Sequence, residues 1–152
     1  MGAVPFHRIL VGWDCSPGAA AALRAAVALA DGAETRVVAL AVLKPAPQTE
    51  DAAEGAADFD GRQHFAQETF AKTKDSLPGA QRGRVSLRFA ESSDAARTIC
   101  DHAQEHGFDL LVVGRHGTGG VLHPRLGHVA SAAAKDGRLT VLLVPQGPGM
   151  YR

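Results

Sequence analysis

A doubly wound α/β fold, with a mostly parallel sheet covered by helices, is what this 152-residue chain predicts. Three observations carry that expectation. Short apolar runs alternate with stretches of helical periodicity along the whole chain. Two of the runs, Val37–Leu43 and Asp109–Val113, are apolar nearly throughout, as strands buried on both faces are. The second of these leads into Gly114-Arg-His-Gly-Thr-Gly-Gly-Val-Leu-His-Pro-Arg-Leu-Gly127, a glycine-punctuated loop that ends at a helix start.

Taken in order, Ile9-Leu10-Val11-Gly12 reads as the first strand, and the pattern allows a start as early as Phe6. Ser16-Pro17 reads as an N-cap followed by proline at the first helical position, where the missing N–H costs nothing. That helix runs to about Ala30, with Leu23, Val27 and Ala30 on one face and Gly32 closing it. Val37–Leu43, partly β-branched, fits a buried second strand better than a helix. Pro45 to Gly61 holds Glu50, Asp51, Glu54, Asp58 and Asp60 without a Lys or Arg, and reads as a solvated, mobile crossover loop. Its spacing supports no metal or docking site.

Arg62 to Leu77 is expected as the second helix, with Phe65, Phe70 and Leu77 facing inward and Pro78-Gly79 as the stop. Val85–Ala90 alternates apolar and polar residues, like a half-exposed strand near an edge. Asp94 to Glu105 forms the third helix, with Gly107 after its end. A fourth helix starts between Pro124 and Gly127 and runs to about Asp136. Leu139–Val144 is the last strand, ended by Pro145. The expectation is thus five strands and four helices in one domain over residues 1–145, with residues 146–152 a disordered tail.

Composition excludes several classes. Lys plus Arg and Asp plus Glu number 16 each, so no global basic field points to nucleic acid. Hydrophobic residues make up 45% and charged residues 21%, ordinary values for a soluble globular protein, and no apolar run is long enough for a membrane span. Cys15 and Cys100 form neither a metal spacing nor a disulfide framework, and are expected reduced in a cytoplasmic protein. Met1 to Ile9, interrupted by Pro5, His7 and Arg8, does not read as a signal peptide.

In a doubly wound sheet, ligands sit outside the carboxyl ends of the strands where strand order reverses. Two loops are expected to meet there: Gly12-Trp13-Asp14-Cys15-Ser16 after the first strand and Gly114–Gly127 after the fourth. Glycine lets backbone approach a ligand closely, and a helix amino-terminus presents unpaired N–H groups that favour phosphate. Asp14 can accept from a ribose hydroxyl or an exocyclic amine; equally, it can be a carboxylate placed at a helix start for the dipole alone. Neither the dinucleotide fingerprint nor the P-loop is present. Catalytic patterns are missing too: there is no Gly-x-Ser-x-Gly, no paired carboxylates and no HExxH. His102 and His106, four apart, share a helix face that is expected to be solvated, since no third metal ligand is evident. His116, His123 and His128 cluster around the glycine loop.

Gly114-x2-Gly117-x9-Gly127 after an apolar strand, together with Asp14 after the first, resembles the universal stress protein family over nearly the whole chain. The family shows a Val-Asp-Gly-Ser-like segment where this chain has Trp13-Asp14-Cys15-Ser16. Its Gly-x2-Gly-x9-Gly-Ser/Thr pattern is matched in the three glycines, and its final apolar strand in Leu139–Val144. The resemblance implies a five-stranded parallel sheet in the order 3-2-1-4-5 with helices on both faces, and a homodimer paired through Leu139–Val144. It also implies binding of ATP, with or without Mg2+, or of ADP or AMP, in a stress-response role with at most slow hydrolysis. Asp14 and Val42 would then contact adenine or ribose, and Gly114, Arg115, Gly117 and Gly127 would line the ribose and phosphates, with Gly12, His128 and Val129 beside them as cofactor-binding positions.

Two departures stand out. His128 occupies the position of the Ser/Thr hydroxyl, which an imidazole N–H can replace only with a much larger ring. Cys15 occupies that of a glycine. These substitutions keep a second function open, a nucleotide-free dimeric stress protein acting through protein partners. An ATP pyrophosphatase-like enzyme is disfavoured because its Ser-Gly-Gly-x-Asp-Ser loop is missing.

Overall fold

β1 (Arg8–Gly12) lies in the middle of a five-stranded parallel sheet, hydrogen-bonded to β2 (Arg36–Leu43) on one side and to β4 (Leu110–Gly114) on the other. β3 (Val85–Glu91) and β5 (Val141–Val144) form the two edges, giving the order β3-β2-β1-β4-β5. The order is the one the family resemblance implied. These relations come from a computed structural model that describes residues 6–30, 34–46, 52–115 and 127–145. The tail 146–152, Gly32, Gly117, His116 and His123 lie outside the described residues.

The side-chain alternation of the strands separates two cores. Ile9, Val11, Val37, Ala39, Ala41, Leu110 and Val112 point to one face, covered by α1 (Pro17–Leu29) and α2 (Ala52–Asp75). Leu10, Val38, Leu40, Leu111 and Val113 point to the other, covered by α4 (Ala95–Glu105) and α5 (His128–Lys135). Burial on both faces is the reason β1, β2 and β4 read as unbroken apolar runs. β3 alternates because it is an edge.

Local chemistry fixes the helix starts. Ser16 Oγ accepts from Ala19 N at 3.0 Å and Pro17 follows it, so α1 begins where the N-cap pattern put it. Asp94 caps α4 in the same way, accepting from Arg97 N at 3.1 Å. Asp109, just before β4, accepts from His7 N at 2.8 Å and Arg8 N at 3.1 Å. That carboxylate ties the beginning of β1 to the beginning of β4 across about a hundred residues of chain.

Three expectations need correction. Pro45–Gly61 is not loop throughout: α2 begins at Ala52 and runs 24 residues to Asp75. Ala52, Ala53, Ala56 and Ala57 are the best helix formers, and Glu54 sits in the first turn where the dipole favours a carboxylate, so acidity alone did not mark a loop. Phe65 does not face inward but is 57% exposed, because Ala66 and Phe70, four apart, occupy the buried stripe. The described helices number five, since Pro78 precedes a four-residue turn of helix, α3 (Gly79–Arg82), while Leu77 is buried beyond the end of α2.

Candidate functional site

β1 and β2 both end at one mouth of the sheet, and α2 rises beside it. Between them is a cleft of about 650 Å³ lined by Trp13, Asp14 and Cys15 after β1, by Ala41–Leu43 at the end of β2, and by Ala57, Asp58, Gly61, Arg62, Phe65 and Ala66 of α2. The lining is mainly apolar, with Asp14, Asp58 and Arg62 as its charged members. Trp13 forms the inner wall. It is only 4% exposed, its backbone N–H donates to Leu40 O at 2.9 Å, and its ring meets Phe70 edge-on at 5.6 Å between centroids. Its indole Nε1 is buried with no hydrogen-bond partner among the described residues.

Both readings of Asp14 find support in the geometry. Oδ1 accepts from the backbone N of Ser16 at 3.0 Å and from Ser16 Oγ, which fixes the turn into α1. Oδ2 has no partner among the described residues, so the carboxylate keeps an acceptor at the cleft. Cys15 between them has φ +66, the left-handed region where a Cβ is penalised. The Asp14–Ser16 turn therefore demands the conformation a glycine would take freely.

Arg62 holds α2 against the mouth of the sheet. Its Nε lies 3.2 Å from Asp58 Oδ2, its NH2 donates to Lys44 O at 3.1 Å, and its guanidinium stacks 5.4 Å from the Phe59 ring. None of these α2 residues was singled out for the site from sequence. The usable signal was the alanine-rich, helix-forming start of the acidic stretch.

The remaining predicted positions gather at a second place. The Cβ that Gly114 lacks would fall 2.9 Å from the carbonyl C and O of Gly18, so the end of β4 packs directly on the first turn of α1. A Cβ on Gly12 would meet Val113 Cγ1 at 3.1 Å. The ends of β1 and β4 therefore lie side by side, and the end of β4 meets the first turn of α1; residues 116–126 of the loop after β4 lie outside the described residues. Arg115 N donates to Val144 O at 2.8 Å and Gly127 N donates to Arg115 O at 2.7 Å, so the two ends of the glycine loop are joined. α5 follows with Gly127 as its N-cap and no side-chain cap bond. His128 is its exposed first residue, while Val129 packs partly into the core. Of the predicted residues, Asp14 and Val42 line the cleft. Gly114, Arg115, Gly127, His128 and Val129 lie at the β4–α5 end and are not among its lining residues.

Away from the cleft, the fold moves several titrations. Burial pushes the Cys100 thiol up, with Asp136 adding to it. Arg138 holds the Asp136 carboxyl down to about 2. Burial, then the neighbouring His106 and Arg88, lower the pKa of His102. The His102–His106 face is thus not simply solvated: His102 is half-buried, its ring lies 4.2 Å from that of His106 and 5.8 Å from that of Phe108, and its Nε2 is buried without a partner among the described residues. No cluster of three or more His, Cys, Asp or Glu suited to a metal occurs among the described residues. No described helix is long and apolar enough to cross a membrane.

The fold is a doubly wound parallel α/β sheet with a cleft at the carboxyl ends of β1 and β2, the end of the sheet at which this fold class holds its ligands. The universal stress protein family model matches residues 5–145, and the chain belongs to that family. Universal stress protein UspA from Lactobacillus plantarum is similar in structure, with a TM-score of 0.76 at 22% identity over 91% of this chain and 97% of that one. A universal stress protein solved in complex with cAMP is similar at a TM-score of 0.68 and 21% identity, over 94% and 99% of the two chains. A family member from Arabidopsis thaliana with AMP bound is similar at a TM-score of 0.61 and 15% identity, over 94% of each chain. At these identities the likeness establishes the fold. No curated protein matches the chain by sequence.

Proposed function

We propose that this chain is a cytoplasmic stress-response module that binds ATP or a related adenine nucleotide, with little or no catalysis. The observation that carries the reading is the cleft itself, an apolar slot of about 650 Å³ with Val42 in its wall and an acceptor carboxylate, Asp14, at its edge. Such a slot suits a flat base that also offers an amine or a ribose hydroxyl. At the β4–α5 end the residues suit phosphate. α5 has no side-chain cap, so its first N–H groups are available to an anion, and Arg115 stands next to Gly127. Gly117 and Gly12 belong to the same proposed lining. The structural relatives with bound cAMP and AMP favour an adenine nucleotide as the class. Mg2+ would accompany ATP through its phosphates.

The test is a thermal-shift titration with Mg-ATP, ADP and AMP, run beside His128→Ser. A ligand that binds only the folded state stabilises it by about 2.7 kcal/mol at a hundredfold excess over Kd. A clear rise in the wild type supports the reading and shows that His128 serves in place of a hydroxyl. No rise with any of the three nucleotides refutes it.

A second reading is favoured by Cys15 and His128: a nucleotide-free protein working through protein partners. A rise confined to His128→Ser would select it. Both readings include a homodimer. β5 is a four-residue apolar edge strand with every residue half-buried, and such an edge is safer paired with its symmetry mate. Light scattering at micromolar concentration returning a monomer would exclude that pairing.

A further inference from the structure

We propose that Phe65 on α2 is the stacking wall for the planar base of the bound ligand, so that α2, and not the glycine loop alone, sets the affinity of the cleft for a heterocycle. The inference rests on the nucleotide reading above. Three observations lead to it.

Phe65 and Leu29 are the exposed large hydrophobic residues among those described, and of the two only Phe65 lines the cleft. A phenyl ring left 57% in water beside an apolar slot is placed to gain contact with a flat partner. Its position is also held in advance. Ala66 and Phe70 anchor α2 on the core, Phe70 meets Trp13 edge-on, and Arg62 fastens the helix to the Lys44 carbonyl at the end of β2. Little ordering cost therefore remains for the helix that carries the ring when a ligand arrives.

The charges of the cleft indicate which part of a nucleotide lies there. Its lining carries two carboxylates, Asp14 and Asp58, against one guanidinium, Arg62, and Asp58 and Arg62 pair with each other. The remaining carboxylate disfavours phosphate and leaves room for an uncharged planar group with a donor for Asp14. The base then stacks between Phe65 and the Val42 side of the cleft, and the phosphates run toward the uncapped start of α5. Stacking on a phenyl face accepts any flat base, so selection among bases falls to Asp14.

The experiment uses the full chain and AMP as probe, with binding followed by calorimetry and by the fluorescence of Trp13, the single tryptophan, which lines the same cleft. Phe65→Ala is expected to weaken AMP about 5- to 150-fold, the factor that base–aromatic stacking carries. Phe65→Tyr is expected to bind close to wild type, and Phe65→Leu, apolar but without a π face, to fall between. Because the ring is exposed, the unliganded variants should melt with the wild type, which separates lost stacking from lost fold. Equal AMP affinity in wild type and Phe65→Ala overturns the proposal, as does equal affinity in the Leu and Tyr variants. A wild type that binds no AMP, ADP or ATP overturns the nucleotide reading itself and this inference with it.

Discussion

Replacing Gly114 with alanine should loosen the junction on which both halves of the site depend. The added Cβ would sit 2.9 Å from the carbonyl C and O of Gly18 and 3.1 Å from its Cα, whereas ordinary contacts of this kind begin near 3.4 Å. All three neighbours are backbone atoms in the first turn of α1, so no side chain can swing aside. Relief requires α1 to move away from β4, and α1 is packed through Ala19, Ala22, Leu23, Ala26 and Val27. Overpacking of this kind costs about 1–3 kcal/mol. For a chain of this size each kcal/mol lowers Tm by about 2–4 °C, so the expected drop is about 2–12 °C.

Urea denaturation followed by circular dichroism measures the stability change directly. Gly79→Ala is the control, because a Cβ there meets nothing within 4 Å and the residue opens a short helix. Since Ser16 and Asp14 precede that same turn of α1, nucleotide affinity in Gly114→Ala should fall together with stability. A Gly114→Ala midpoint equal to that of the control would refute the close approach between the end of β4 and the first turn of α1.

Three further outcomes follow from the same structure. Cys15→Gly should be more stable than Cys15→Ala by about 1 kcal/mol, because only glycine takes φ +66 without the left-handed penalty; matching melting curves would remove the strain argument. Stability should decline as pH falls below about 6.5, the ordinary histidine value. His102 is held neutral in the fold and its pKa is lowered, so the unfolded chain binds the extra proton first and the contribution is lost as pH drops through the folded value. His102→Phe should flatten the urea midpoint between pH 8 and pH 5, and an unchanged slope would assign the pH dependence elsewhere. Asp109→Ala removes an acceptor from two backbone N–H groups and should cost about 1.5–3 kcal/mol, the range for hydrogen bonds to a charged group; a loss below the error of the denaturation curve would contradict the tie between β1 and β4.

The strands were readable from sequence because burial on both faces leaves no room for polar residues, as Val37–Leu43 illustrates, and because Gly12, Gly114 and Pro145 punctuate them. α1 was readable from Ser16-Pro17, a purely local signal. Gly114, the first glycine of the spacing, packs on the first turn of α1. α2 was not readable in its first three turns, because acidic residues mark both loops and helix starts, and only the alanines between them decide. Its weakly amphipathic face misled in the same way: Phe65 looked like core, and only the register set by Ala66 and Phe70 turns it to the cleft. The wall formed by Trp13 depends on Phe70, far away in sequence, and no pattern along the chain announces such a pair.

The central place of β1 has a consequence for synthesis. On the ribosome, β2 can pair with β1, and β3 with β2, soon after they emerge, but the other edge of β1 waits for Leu110–Val112. At about 5–20 residues per second that edge, with Ile9, Leu10 and Val11 on it, stays open for roughly 5–20 s. During this interval it is a template for any other extended chain. The carboxylate of Asp109 arrives with the strand that closes the gap. Changes there should therefore lower the yield of soluble protein from cells by more than the loss in equilibrium stability accounts for.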